Sequence, residues 1–314
     1  MTTFLNLAQN IPHNSTLLIG FSGGPDSVFL LHFLNDIAQS HNLKIIAAHL
    51  DHQWRQNSCQ DVAWCSNFCQ QYNNVTFISK VASELNFTPK TNGSKEETGR
   101  KLRRHFFMEC AKDFKADHIV LGHHQDDQIE TFFIRLSRGS SVTGLASMRM
   151  KDGLYLRPLL HITKQEILDF LELHQIPFLI DPTNTDTVFL RNRIRKNLVP
   201  ILDSVDSRIH KNIISCIDHM QKTEDFLKQV TKQTIKELST DFGIDLARFL
   251  KEHEILQQRI ILSMLISSSQ PCTPSKAFFG EIIRFLRSVK HNEHQLLETL
   301  KIIKNKNSFS FKTF

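Results

Sequence analysis

One short segment, residues 22–27 with the sequence Ser-Gly-Gly-Pro-Asp-Ser, most constrains how this chain can fold. It follows residues 16–21, an apolar run of strand-forming residues, and precedes residues 27–37, where apolar residues recur at helical spacing and Ser27 can cap the first turn. Two adjacent glycines permit a tight turn and leave backbone N–H groups open to a ligand. The order strand, glycine loop, helix therefore predicts a site for an anion such as phosphate.

A glycine loop that only turns the chain is the alternative, and a lone Gly-Gly pair would favour it. This loop also supplies the hydroxyls of Ser22 and Ser27 and the carboxylate of Asp26, which suit a triphosphate and its Mg²⁺. Gly23, Gly24 and Pro25 complete the segment. It does not match the longer Walker pattern or Gly-x-Gly-x-x-Gly. It resembles the Ser-Gly-Gly-x-Asp-Ser pyrophosphate loop of the N-type ATP pyrophosphatases, which split ATP into AMP and pyrophosphate.

Strands and helices alternate beyond this loop. Strands are predicted at residues 44–50, 75–78 and 117–122, helices at residues 58–72, and capping boxes at Ser94 with Glu97 and at Thr163 with Glu166. Such alternation is typical of βαβ units, which build a parallel sheet covered by helices on both faces. We predict an α/β fold with a doubly wound parallel sheet, of the adenine nucleotide α-hydrolase-like type that the loop resembles.

Polar clusters follow two of the later strands. Residues 49–55 contain two histidines, an aspartate and an arginine, and residues 122–131 contain His123, Asp127 and Glu130 among further polar side chains. Ligands of parallel sheets bind beyond the carboxyl ends of the strands, so both clusters and the glycine loop are expected to share one crevice. Acids in a first helical turn can serve the helix dipole alone. The density of the second cluster favours a site.

Cations are concentrated in two further segments. Arg100 and Arg103 lie three residues apart on one face of a predicted helix, where they can hold phosphate oxygens. Four cations within six residues suit a nucleic-acid backbone: Arg191, Arg193, Arg195 and Lys196. A solvated basic surface is the alternative interpretation of both segments.

The last third of the chain is predicted to be mainly helical. Residues 205–238 read as one long connecting helix, followed by amphipathic stretches at 247–263, 275–286 and 295–303 and a strand at 308–311. We therefore predict a catalytic domain over residues 1–202, a linker helix over 203–238 and a small helical, tRNA-binding domain over 239–314.

Composition sets weaker bounds. The 314 residues carry a net charge of +6, of which residues 1–200 hold +2 (21 Lys and Arg against 19 Asp and Glu) and residues 201–314 hold +4 (17 against 13). The excess is weak support for a polyanionic partner. No apolar run reaches the ~18 residues of a membrane helix and no secretory signal is visible, so we expect a cytoplasmic enzyme with no membrane partner.

Taken together, the motifs resemble those of the tRNA(Ile)-lysidine synthetases, in a short form without a second C-terminal domain. The resemblance covers most of residues 15–200 in the family's order. It rests on residues 22–27, 49–55, 96–104, 122–131, 138–145, 157–160 and 181–195. It implies a ligase that forms a carbon–nitrogen bond. ATP adenylates O2 of the wobble cytidine in a CAU-anticodon tRNA(Ile), and free L-lysine then displaces AMP.

The resemblance also implies a role for each candidate residue. The loop from Ser22 to Ser27 would hold the pyrophosphate of ATP, Asp26 would bind Mg²⁺, and Arg103 would stabilise the α-phosphate. His123 would position the nucleotide, while Asp127 and Glu130 would bind the lysine amine. The cations between Arg191 and Lys196 would contact tRNA, and a homodimer stays open as the state of assembly.

Two other functions stay open on sequence alone. A tRNA thiolase can use the same scaffold, but sulfur delivery normally needs paired reactive thiols, and the six cysteines include no Cys-x-x-Cys pair. Cys65 and Cys69 read as buried thiols rather than zinc or iron–sulfur ligands. A non-catalytic tRNA-binding relative would not need the loop glycines, Asp26 and the acidic cluster together.

Overall fold

The computed structural model describes residues 7–55, 57–89, 95–180, 190–268 and 274–313. The chain forms two compact units, Met1–Gln221 and Lys222–Phe314. The first unit extends past residue 202 because Ile213 and Ile217 pack against Ile129 in one apolar cluster. Boundaries after residues 202 and 238 stay a prediction. None of the described helices is long and apolar enough to cross a membrane.

The first unit is built on a six-stranded sheet. Its strands are β1 (Thr16–Gly20), β2 (Lys44–Asp51), β3 (Val75–Val81), β4 (His118–Val120), β5 (Lys151–Asp152) and β6 (Tyr155–Leu156). Their spatial order is β3-β2-β1-β4-β6-β5, and every neighbouring pair is parallel except β5 with β6. The predicted parallel α/β sheet is confirmed, whereas the short β5–β6 hairpin was not predicted.

Helices cover this sheet and continue beyond it. They are α1 (Pro25–Asp36), α2 (Ala38–His41), α3 (Ser58–Cys69), α4 (Lys95–Asp113), α5 (Gln125–Ser137), α6 (Val142–Leu145), α7 (Lys164–Leu173), α8 (Leu190–Arg193), α9 (Val199–Val205) and α10 (Ile209–Leu238). A π-helical turn, Ile194–Leu198, joins α8 to α9, and 3₁₀ turns occupy Ala82–Glu84 and Pro158–His161. The capping box of Thr163 and Glu166 is confirmed at the start of α7.

Strand β1 is buried on both faces, which explains its continuous apolar sequence. Leu17 and Ile19 pack into the cluster that contains helix α1 residues such as Leu31. Leu18 points the other way and joins Phe106 of α4 in a separate cluster. Helices therefore cover both faces of the sheet, and the loops after its strands are the parts left available for a site.

The second unit differs from the predicted helical domain. It contains helices α11 (Leu246–Phe249), α12 (Glu254–Ser267) and α13 (Lys276–Arg287), with strands β7 (Ser239–Thr240), β8 (Gly243–Asp245), β9 (Glu293–Leu297), β10 (Leu300–Lys304) and β11 (Ser308–Thr313). The strands form one sheet in the order β7-β8-β11-β10-β9. The predicted helix at 295–303 is wrong: Leu300 and Ile302 alternate inward on β10, and Ile302 pairs with Phe311 of β11.

Three predicted helix boundaries are also wrong, each because a side chain bonds to backbone. The helix at 205–238 begins at Ile209, since Asp206 is extended and accepts the N–H of Arg208 at 2.8 Å. The stretch 247–263 is interrupted where the Gln257 amide donates to the carbonyl oxygens of Phe249, Leu250 and Glu252.

The third correction concerns Ser27, which does not cap α1. Gly24 is the N-cap residue, Pro25 begins the helix, and Ser27 lies inside the first turn. The predicted cap at Ser94 and the motif residues Asp181 and Asn184 lie outside the described residues.

Helix α7 provides a matched test of this packing. Leu171 is fully buried, whereas Leu173 in the same turn is 79% exposed. We expect Leu171→Ala to lower the free energy of unfolding by about 2–5 kcal/mol and Leu173→Ala by less than about 0.5 kcal/mol, because only the first leaves a cavity. Urea unfolding measures both, and equal losses would contradict the packing of α7 on the sheet.

Candidate functional site

The glycine loop between β1 and α1 is held in a close turn. Gly23 has φ +77°, and a Cβ there would lie 2.7 Å from Leu179 and 2.9 Å from Cys65. Its carbonyl accepts the Leu179 N–H at 2.9 Å. The Ser27 hydroxyl accepts the N–H of Ser22 at 3.2 Å and donates to the Gly24 carbonyl at 2.9 Å. These bonds fix the loop at the N-terminus of a 12-residue helix, the geometry expected of an anion site.

The exits of β1, β2 and β4 lie close together. A Cβ on Gly122, just after β4, would lie 3.1 Å from the Asp26 backbone, so glycine permits this approach. From β2, the His49 ring bonds to the Phe21 carbonyl at 3.0 Å. His49 is buried, and burial lowers its pKa, which gives this histidine a structural role. The predicted crevice at the carboxyl edge therefore brings Asp26 to the β4 exit.

Asp26 is held by two residues from other elements. Lys164, the first residue of α7, donates from Nζ to Asp26 Oδ1 at 2.5 Å. His124 Nε2 lies 3.9 Å from the other Asp26 oxygen. The sequence indicated neither contact, since Lys164 lies 138 residues from Asp26 and reads there as an ordinary first-turn residue. Lys164 is the main site residue that sequence reasoning missed.

The two adjacent aspartates at the start of α5 have different partners. Asp126 accepts the backbone N–H of Lys164 at 2.7 Å and lies 3.3 Å from His124 Nδ1. Asp127 accepts the backbone N–H of His124 at 3.1 Å and lies 3.5 Å from its Nε2. Burial would lower the pKa of His124, but the hydrogen bond to Asp126 and the charges of Asp127 and Asp26 together raise it. His124 therefore favours a proton among three carboxylates.

Glu130 is almost fully buried and is paired with the basic segment. Arg195 Nε donates to its Oε1 at 2.6 Å, and Arg191 Nε lies 3.1 Å from its Oε2. Arg195 also reaches within 3.8 Å of Asp127, and Arg191 donates to Thr131 at 3.0 Å. Two residues predicted to bind tRNA thus contact the two carboxylates predicted to bind lysine.

Arg103 and His123 complete the set of predicted catalytic residues. Burial lowers the pKa of His123 to about 4, against the opposing charge of Asp127, so the ring is neutral at pH 7 and can accept a hydrogen bond. Limited hydration lowers the pKa of Arg103, Glu96 opposes this, and Arg100 and Arg191 add to it. The charge of Arg191 acts on both Arg103 and His123, which puts them in one electrostatic environment.

The residues present fit ATP with Mg²⁺. Mg²⁺ usually keeps several waters and binds one or two carboxylates together with substrate phosphates. Asp26 can supply the carboxylate beside the loop N–H groups. No group of three or more His, Cys, Asp or Glu residues suited to a metal ion occurs among the residues described, so the phosphates would have to complete the coordination.

The cysteines that resembled core residues are core residues. Cys65 and Cys69 are buried free thiols, and burial raises the pKa of each to about 12. Thiols in that state are not nucleophiles at pH 7. Cys59 is exposed and free.

The roles of the individual residues stay predictions. Arg193, Arg195 and Lys196 are exposed, as a nucleic-acid contact requires, whereas Arg191 is half-buried against Glu130. The loop residues, Asp26, Asp127 and Glu130 share one edge of the sheet.

Comparison with known proteins adds an independent finding. A model of the PP-loop domain family matches residues 1–202. A tRNA(Ile)-lysidine synthase of Clostridium tetani is 31% identical over 81% of this chain and 54% of its own length. The enzyme of that name from Bacillus subtilis is 32% identical over 76% of this chain and 51% of its own. A Bacillus cereus relative is 29% identical over 98% and 68%. The chain spans about half the length of the first relatives.

Among solved structures, the U34-tRNA thiolase NcsA from Methanococcus maripaludis has a similar fold. It matches with a TM-score of 0.60 and 16% identity, over 70% of this chain and 78% of that chain. At this identity the likeness concerns the fold alone.

The Glu130 cluster generates a prediction about local stability. Glu130→Gln removes the buried charge that holds Arg191 and Arg195, a loss of about 1.5–3 kcal/mol. We expect amide hydrogen exchange across residues 190–198 to become at least about 10-fold faster. Glu97→Gln, which breaks only the exposed pair with Lys101, is the control and should leave exchange there unchanged. Equal exchange in both variants would mean that Glu130 does not hold this segment.

Proposed function

The chain belongs to the PP-loop domain family, and from that membership we propose that it is a tRNA(Ile)-lysidine synthetase. The observation that carries the proposal is the similarity to enzymes of that name across most of this chain, including the loop with Asp26 and the acidic start of α5. Its substrates would be ATP, with Mg²⁺ as cofactor, free L-lysine and a CAU-anticodon tRNA(Ile).

The first step would activate the wobble cytidine. Cytidine O2 attacks the α-phosphorus of ATP, an O–P bond forms, and the bond to pyrophosphate breaks. The loop N–H groups with Ser22 and Ser27 would hold the departing pyrophosphate, and Arg103 would stabilise negative charge on the α-phosphate. Mg²⁺ at Asp26 would neutralise charge on the phosphates. The neutral His123 would accept a hydrogen bond from the nucleotide.

The second step would replace the activated oxygen by nitrogen. The ε-amine of lysine attacks C2 of the cytosine, the C2–O2 bond breaks, and AMP leaves with that oxygen. Free lysine has a pKa near ~10.4, so the amine must lose a proton before it attacks. Asp127 and Glu130 would attract the cationic amine, and a carboxylate of this pair would accept the proton.

Binding of both large and small substrates would change the partners of one arginine. Arg195 contacts Glu130 and lies near Asp127. If tRNA phosphates attract Arg195, both carboxylates gain room for the lysine cation. Asp127 is then the more available of the two, because Arg191 still pairs with Glu130.

Product analysis tests the proposal against its alternatives. Purified protein is incubated with ATP, Mg²⁺ and a CAU-anticodon tRNA(Ile), with lysine, with a sulfide donor, or with neither. We expect AMP release that requires both tRNA and lysine. AMP release that requires sulfide would instead identify a thiolase, and tRNA binding without AMP release would identify a non-catalytic relative.

Asp127 generates a prediction about the lysine step. Asp127→Asn removes a charge-assisted contact, so we expect the lysine concentration for half-maximal activity to rise about 10- to 100-fold. Pyrophosphate release on tRNA should persist slowly, because activation does not use the amine. Asp113→Asn, at the exposed end of α4, is the control. An unchanged lysine requirement would assign Asp127 to the helix cap alone.

Lys196 generates a prediction about tRNA. An exposed lysine that contacts one phosphate contributes about 0.7–0.9 to the slope of log affinity against log salt concentration. We expect Lys196→Ala to weaken tRNA binding and reduce the slope by about that amount. Lys44→Ala, at the opposite edge of the sheet, should change neither quantity. A slope equal to that of the unaltered protein would remove Lys196 from the tRNA surface.

A further inference from the structure

Lys164 connects the two halves of the candidate site through different atoms. Its backbone N–H donates to Asp126 Oδ2 at 2.7 Å, and its ammonium donates to Asp26 Oδ1 at 2.5 Å. The preceding residues are fixed as well, since Gln125 N donates to the Ile162 carbonyl at 2.8 Å. The lysine therefore starts from a rigid position and extends its charge to the glycine loop.

The side chain of Lys164 has room to change partner. It is 33% exposed, and that of Asp26 is 31% exposed, so the ion pair borders solvent. Its partner is also the carboxylate that a phosphate-bound Mg²⁺ would use. A cation that approaches Asp26 repels the ammonium, and the ammonium then needs another anion close to the loop.

We propose that Lys164 binds the terminal phosphates of ATP. The inference rests on the proposed use of ATP by this chain. In the free protein Lys164 compensates Asp26. In the nucleotide complex it leaves Asp26 to Mg²⁺ and donates to an oxygen of the β- or γ-phosphate, on the pyrophosphate that departs. No bond is made or broken in this exchange, since only the partners of two charges change.

A purely structural ion pair is the competing explanation, and the two differ in their consequences. If Lys164 only neutralised Asp26, its loss would free that carboxylate and leave ATP affinity equal or higher. If it binds the β- or γ-phosphate, its loss weakens ATP and spares AMP, which lacks both groups. The hydrogen bond to Asp126 comes from the backbone and survives any substitution except proline.

The experiment is calorimetric titration of the whole protein with ATP plus Mg²⁺ and, separately, with AMP. Lys164→Met keeps the length and helix propensity of the side chain and removes its charge. We expect the Kd for ATP to rise about 10- to 100-fold, with the Kd for AMP within about 2-fold of the unaltered protein. Lys164→Arg should recover part of the ATP affinity, and Lys44→Met is the charge-matched control.

Three results would overturn the inference: unchanged ATP affinity in Lys164→Met, equal losses for ATP and AMP, or no ATP binding by the unaltered protein. Formation of lysidine by the unaltered protein is measured in parallel. Lysidine formation with unchanged ATP affinity in Lys164→Met rejects the role of Lys164 alone. Selective loss of ATP affinity without lysidine formation rejects the proposed reaction and keeps the phosphate contact.

Discussion

The site depends on the parallel pairing of β1 between β2 and β4. Because the three strands run in one direction, their polar exits meet at one edge, while the apolar residues of β1 stay buried between two helical layers. Gly122 lets the β4 exit approach the Asp26 backbone to a distance that a side chain would prevent. The sheet thus supplies a rigid frame, and the chemistry is left to loops and helix termini.

Charges at this edge compensate one another in the free protein. Asp26 pairs with Lys164, Glu130 pairs with Arg191 and Arg195, and His124 lies among three carboxylates. Buried charges without partners are costly, so a site that handles triphosphate, a metal and an amine needs such internal partners while it is empty. On this account substrates bind by exchange: phosphates attract the cations, and the released carboxylates accept Mg²⁺ and the lysine amine.

The sequence allowed the local parts of the site to be predicted, but not the contacts between distant segments. The glycine loop, the buried strand before it and the acid-rich start of α5 each have a short-range signal. Lys164 has none, because it reaches Asp26 only through the packing of α7 on α1, where Phe170 meets Phe29 edge-on at 5.0 Å.

The errors in secondary structure have a related cause. Residues 295–303 have apolar positions that fit both a helix and a strand, and pairing with β11 decides between them. Asp206 and Gln257 interrupt predicted helices through side-chain bonds to backbone. Ser27 was predicted to cap α1, but Pro25 is suited to the first helical position and moves the cap to Gly24.

The most direct test of the account is nucleoside mass analysis of tRNA(Ile) after incubation with ATP, Mg²⁺ and isotope-labelled lysine. Two aspartates of helix α1 provide the comparison, since Asp26 lies in the site and Asp36 is exposed at the far end. The account predicts a labelled nucleoside with the mass of cytidine plus lysine minus water, from the unaltered protein and Asp36→Asn but not from Asp26→Asn. Unmodified cytidine with all three proteins, or equal product from both variants, would contradict it.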